Sequence, residues 1–271
     1  MVTDAQQQAN MNTRSPAVAG TFYPGRKAEL AECLKEMLAD AVERAESSTP
    51  KVLIVPHAGY VYSGPVAASA YSLLQAQRQS ITRVVLLGPA HRVYLTEMAV
   101  PSAWSFATPL GEVPVDREAV TEALTLRGVV VSDEAHATEH SLEVHLPFLQ
   151  TMLESFSVLP VVVGQCSSER VAALVDGFWG GDETLIVVSS DLSHYLPYLQ
   201  ACTKDAHTTE LILQRSSSLT GEQACGAAAI NGLMRVARQR GLWVEALDVR
   251  NSGDTAGDRS RVVGYGSYAL G

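Results

Sequence analysis

The chain is poor in the features that assign a sequence at once. Its four cysteines, Cys33, Cys166, Cys202 and Cys225, are scattered over 271 residues with no C-x-x-C pair. That excludes a disulfide framework and points to a reducing cytoplasm. No apolar run approaches the roughly 20 residues of a transmembrane helix. The opening residues, MVTDAQQQANMNTRS, carry neither a basic nor an apolar segment of the kind that directs secretion; residues 1–13 are expected as a disordered tail. Basic clusters are also missing, and the net charge is −9. No nucleic-acid partner and no acidic membrane surface is expected of such a chain. G-x-S-x-G, Walker and G-x-G-x-x-G patterns are all absent, which leaves serine-hydrolase, P-loop and dinucleotide readings without support.

What is present is a large apolar fraction, 46%, with 18% charged residues, enough for one sizeable core. No linker, repeat or low-complexity break divides the chain, so residues 14–271 are expected to form one domain. Three continuous apolar runs each end at a polar turn bearing a histidine: Val52 to Val55 before His57, Val84 to Leu87 before His91, and Leu185 to Val188 before His194. Continuous rather than alternating apolar runs suit a parallel sheet covered on both faces. The fold expected is therefore α/β, a largely parallel central sheet with helices on both faces. Helical spacing predicts helices over Ala28 to Arg44, Gly64 to Leu74, Val115 to Leu126, Ser141 to Glu154 (with a kink or boundary at Pro147), Ser168 to Phe178, Leu199 to Gln214 and Gly221 to Arg240. A strand or hairpin excursion is expected over Met98 to Asp116. Further strands are read over Val158 to Val163, Trp243 to Val249 and Val262 to Ala269, with a glycine-rich loop at Asn251 to Asp258.

In open parallel sheets, chemistry gathers at the carboxyl ends of the strands. Imidazole is the commonest protein metal ligand, and His57 and His91 sit on loops whose backbones the sheet would fix. They read as metal ligands or, alternatively, as structural histidines bonded to loop carbonyls. His194 follows Asp191 by three residues, an arrangement suited to a general acid or base with an orienting carboxylate. Asp191 or Ser190 reads equally as a helix N-cap. The Glu139 to His145 segment, EHSLEVH, is the densest polar cluster. On a helix, Glu139 and Glu143 would share a face, as would His140 and Glu143, lining a pocket or an ordinary amphipathic surface. Cys225 falls where a helix is expected to start, which would lower its pKa; it reads as nucleophile, ligand or buried structural cysteine. His136 and His207 are assigned no role.

Taken in order, Ala19 to Pro24 (AGTFYP), Pro56 to Tyr60 (PHAGY), Gly88 to His91 (GPAH), EHSLEVHLP, Ser189 to Tyr195 (SSDLSHY), Ala224 to Gly226 (ACG) and Asn251 to Tyr265 (NSGDTAGDRSRVVGY) resemble the Memo family, protein B of the so-called AmmeMemoRadiSam systems. That family is similar to the LigB-type class III extradiol dioxygenases. The resemblance implies a non-haem iron site with His57, His91 and Cys225 as ligands. Cys225 stands where the dioxygenases have a carboxylate, and sulfur also suits copper or zinc. It further implies His194, with Asp191, as the proton-handling pair, and a substrate pocket around Tyr60, His140, Glu143 and Ser190. The function implied is an iron-dependent, dioxygenase-like redox enzyme acting on a small organic substrate. Two alternatives are a phosphopeptide- or metal-binding adaptor and a metal-dependent hydrolase. Expected partners are a small molecule or peptide and the other AmmeMemoRadiSam components.

Overall fold

In the computed structural model, residues 13–42 and 49–271 are described. Eight strands follow one another across the main sheet in the order β10-β12-β2-β9-β3-β8-β4-β7, with β11 added against β12. The centre is parallel: β2 (Val52–Val55), β9 (Thr184–Ser189), β3 (Arg83–Pro89) and β8 (Ser157–Val163) run in one direction. Nearly all their side chains are buried, which is why the sequence shows runs of Val, Ile and Leu, interrupted only by Pro160 in β8. Pro160 is tolerated in β8 because only β3 pairs alongside it; β4 (Met98–Val100) joins the other edge farther on, at Val162 and Val163.

The flanks are antiparallel or short. β12 (Val262–Leu270) runs against β2, β11 (Val244–Asn251) and β10 (His194–Leu196). β7 (Val129–Val131) pairs with β4. Helices flank the sheet: α1 (Lys27–Val42) against α2 (Tyr60–Tyr71), and α6 (Ser168–Gly177) against α8 (Ala227–Arg240), which lies on β3 and β9. α7 (Tyr198–Leu213) packs on β11 and β12. A single apolar cluster joins these layers. The expected excursion is a small three-stranded sheet of β1 (Thr13–Arg14), β5 (Ser105–Thr108) and β6 (Gly111–Pro114), with β4 lent to the main sheet.

Several boundaries differ from expectation, each for a local reason. Of the expected tail, residues 1–12 lie outside the described residues, and Thr13 pairs with Ser105 in β1. The last two residues of the helix expected to end at Arg44 lie outside them too. α2 starts at Tyr60, a turn before the Gly64-Pro65 start, because the Gly59 carbonyl accepts the Tyr62 and Ser63 amides. α3 (Arg117–Ala123) begins after Asp116, whose side chain caps Ala119. Pro147 marks a boundary: residues 139–142 are not helical, Glu143–His145 form one 3-10 turn, and α5 (Leu146–Met152) carries the proline in its first turn. Glu139 and Glu143 therefore do not share a helix face. The short helices α4 (Asp133–Ala137) and α9 (Ser252–Thr255), and the strands β7 and β10, were not anticipated. Residues 221–226 form a turn rather than the start of α8.

Candidate metal centre

The parallel order β2-β9-β3 sets three carboxyl ends side by side, so the loops after Val55, Ser189 and Pro89 converge. His57, His91 and His140 meet there, with ligand nitrogens all within 4.8 Å of one another, close enough to share a metal ion. The rings pack edge-on or stacked: His57 stands across His91 at 5.1 Å and His140 at 5.5 Å, while His140 stacks on His91 at 4.7 Å.

Two of the three rings, those of His57 and His91, are held from behind. The His57 amide donates to Asp191 Oδ1 at 2.8 Å, and its Nδ1 lies 2.6 Å from Ser189 Oγ. The Glu139 carboxylate accepts the His91 amide at 2.6 Å and contacts His91 Nδ1 at 2.9 Å. It also accepts the His140 and Ser141 amides. Burial alone would raise its pKa, but these bonds hold Glu139 down at about 2. A carboxylate on the rear nitrogen of an imidazole is a common support for a metal-binding histidine.

Burial pushes His57 well below the ordinary histidine range and His140 down to about 4. Both rings are neutral at pH 7, the state in which imidazole binds metal. His140 Nδ1 is buried 3.2 Å from Glu139 Oε1 without forming a hydrogen bond to it. A cluster of neutral imidazoles beside a carboxylate fits a cation-binding role.

Cys225 approaches the same cluster from the turn before α8. Its Sγ lies 3.4 Å from His57 Nε2 and accepts the Asp191 amide at 3.3 Å. The turn is pinned by Cys225 N to Asp191 O and by Gly226 N to Ser190 Oγ. Burial, then the neighbouring Asp191 charge, pushes the thiol up to about 12. A bound cation reverses that balance, because a coordinating thiol is deprotonated.

His194 sits on β10, paired with Val263 of β12, and lines a cleft of about 790 Å³ together with His57, His91, His140 and Asp191. Burial keeps its pKa low. No helix starts at Asp191; its carboxylate faces the His57 loop instead, and burial raises it to about 7. The N-cap reading therefore gives way to a loop-fastening one.

Three expected pocket residues do not line the cleft. Tyr60 points into the core, its hydroxyl donating to the Val144 carbonyl at 2.7 Å between Tyr23 and Phe148. Glu143 is fully buried against Arg14, because a guanidinium and two amides already surround it. Ser190 lies behind Cys225, bonding the turn. Only His140 of that set opens on the cleft, and it belongs with His57 and His91. Sequence reasoning missed Glu139 as the support of His91; its place beside His140 was the available signal. Ser189 and His145 gave no signal, since a strand-end serine and a core-facing histidine look ordinary.

A second cavity of about 690 Å³ opens on the other side of His91, bounded by Cys225 and the start of α8. Among the described residues no helix is long and apolar enough to cross a membrane.

The fold resembles that of an uncharacterized Escherichia coli K12 protein solved by crystallography, with a TM-score of 0.50 at 13% identity over 81% of this chain and 99% of that one. MEMO1 family proteins are similar along nearly their whole length. That of Aquifex aeolicus is 38% identical, covering 94% of this chain and 98% of its own. That of Methanopyrus kandleri is 37% identical over 95% and 98%. That of Metallosphaera sedula is 34% identical over 93% and 97%. The model of the Memo-like protein family matches residues 14–269, and the chain belongs to that family.

Proposed function

We propose that this protein is a cytoplasmic metal-dependent redox enzyme of dioxygenase-like chemistry, with iron(II) held by His57, His91 and Cys225 and a small organic substrate in the adjoining cleft. The observation that carries the reading is the 3.4 Å separation of Cys225 Sγ from His57 Nε2. Sulfur and nitrogen bound to one ion at about 2.3 and 2.1 Å lie about 3.1 Å apart at a right angle and about 3.6 Å apart at the tetrahedral angle. His140 competes for the third position: its nitrogen lies within 4.8 Å of those of both other imidazoles, whereas Cys225 is placed against His57 alone. Iron(II) there would supply the redox chemistry and orient the reactants; copper and zinc also suit a thiolate. Four free cysteines agree with a reducing compartment.

His194, neutral because it is buried, is placed to take a proton from a substrate hydroxyl in the cleft. Asp191 holds the His57 backbone and positions the loop. Phe22, Tyr62 and Tyr265 supply an aromatic wall. A second reading, a module that binds a peptide without turnover, is favoured by Arg92 and Arg261, which line the same cleft and would attract an anion. The other AmmeMemoRadiSam components are the partners suggested for either reading.

The test begins with anaerobic purification, elemental analysis and a metal-edge spectrum. Iron with a sulfur ligand is expected, and Cys225→Ala should weaken binding far more than His140→Ala. Unchanged metal affinity in Cys225→Ala overturns the ligand set. Oxygen uptake by iron-loaded protein with catechols or indoles supports turnover. Failure across such a panel favours the binding module, and zinc-loaded ester or amide cleavage favours a hydrolase.

A further inference from the structure

Behind His57 lies a buried chain of four polar groups that the proposed chemistry does not use. Ser189 Oγ donates to the Ser141 carbonyl at 2.6 Å. It also lies 2.6 Å from His57 Nδ1 and 2.8 Å from His145 Nε2. His145 Nδ1 in turn lies 2.8 Å from the Tyr71 hydroxyl. The side chains of His57, Ser189, His145 and Tyr71 are almost wholly buried.

Proton counting leaves one arrangement. A carbonyl only accepts, so the single Ser189 hydroxyl proton is committed to Ser141. Both imidazole nitrogens beside Ser189 must then be N–H donors, filling its two lone pairs. His145, kept neutral by burial, carries its one proton on Nε2. Its Nδ1 accepts from Tyr71, which has a proton to give. His57 likewise carries its proton on Nδ1. The opposite tautomer of His57 would bring a bare nitrogen against a hydroxyl with no proton left, an unpaired contact in a dry interior. The chain ends at Tyr71 in the core, with no route onward to solvent through these groups, so it is a support rather than a proton relay.

We infer that Ser189 and His145 are positioning residues that hold His57 in the Nδ1–H tautomer, leaving its Nε2 lone pair facing Cys225 and free for a metal ion. Glu139 acts in the same sense on His91, which gives the two imidazoles the same tautomer from chemically different supports. The inference rests on the metal-centre reading for its purpose, but the tautomer itself is a property of the metal-free protein.

Nitrogen-15 NMR of the metal-free full chain reads the tautomer directly. His57 is expected with a protonated Nδ1 and a bare Nε2. Ser189→Ala should lose that preference and bind zinc(II), used as the probe, roughly 10- to 100-fold more weakly. His145→Gln, whose amide can still donate to Ser189, should retain more affinity than His145→Leu. A wild-type His57 protonated at Nε2 overturns the inference whether or not the variants fold. So does a folded Ser189→Ala with unchanged tautomer and zinc affinity. Loss of the redox reading alone, by absent oxygen uptake, would leave the tautomer result standing.

Discussion

Glu143 receives the Arg14 guanidinium, the Ala17 and Val18 amides and the Tyr23 hydroxyl at one buried carboxylate. Arg14 also donates to the carbonyls of His136 and Glu139, so the ion pair fastens the loop that supplies Glu139 to His91. Removing one partner of a buried pair strands the other charge, at a cost of about 3–5 kcal/mol. Glu143→Ala should therefore lower stability by that amount in urea unfolding and weaken metal binding through the loop. An unchanged midpoint would show that the pair is dispensable. Sequence spacing made Glu143 a pocket residue because it assumed a helix through Ser141. The actual backbone turns Glu139 toward the cleft and Glu143 toward the N-terminal segment, a choice set by Arg14, 129 residues away. Spacing shows which residues share a regular element; it is silent on a charge brought in by another strand.

β10 is three residues long, and its hold on His194 comes from neighbours rather than from its own ladder. Asp205 of α7 accepts the Ser193 amide at 2.9 Å, and Gly264 of β12 exchanges backbone bonds with Leu192 and Ser193. These pieces touch so closely that a Cβ on Gly264 would lie 2.0 Å from Asp205 Oδ2. Gly264→Ala must push Asp205 off Ser193, and overpacking of this kind costs about 1–3 kcal/mol. The double variant Gly264→Ala/Asp205→Ala should lose less stability than the two single losses added, because the second change vacates the space. Strict additivity in thermal unfolding would count against the clash. Elements of this kind escape sequence reading. The four buried parallel strands announce themselves by runs of Val, Ile and Leu, and with them the loops bearing His57 and His91. β10 has no such run, β7 is only three residues long, and the turn at Cys225, besides its own bonds to the Thr220 and Ala224 carbonyls, is tied to Ser190 and Asp191 of a distant segment. The strand ends, and hence half of the site, were legible; the resemblance offered Cys225 as the third ligand and His140 as a pocket residue, whereas it is the His140 nitrogen that lies within 4.8 Å of those of His57 and His91.

Across the whole molecule, the concentration of buried neutral histidines sets the response to acid. Burial keeps His57 well below its ordinary range, His136 and His140 at about 4, His145 at about 3, and His194 low as well. In the unfolded chain each would titrate near 6.5. Below that pH the unfolded state binds more protons than the folded one, so stability falls as pH falls. Their contribution is complete above about pH 6.5 and is lost progressively toward pH 4 and below, at up to about 1.4 kcal/mol per pH unit for each histidine. Asp191 works the other way. Raised to about 7, it keeps its proton in the folded state where the unfolded chain has released it, offsetting about one histidine over that window. Burial raises Asp205 as well, and five histidines against these two carboxyls leave a net loss. The metal-free protein should therefore melt at a lower temperature at pH 5 than at pH 7 in calorimetry. His136 tests the cause away from the metal centre: its Nε2 donates to the Ala99 carbonyl while its Nδ1 is buried without a partner, so a second proton has nowhere to bond. His136→Gln, which cannot titrate, should flatten the slope between pH 6.5 and 4 by about one histidine's share. A melting temperature that holds steady or rises on acidification would mean that these rings are not held neutral in the fold.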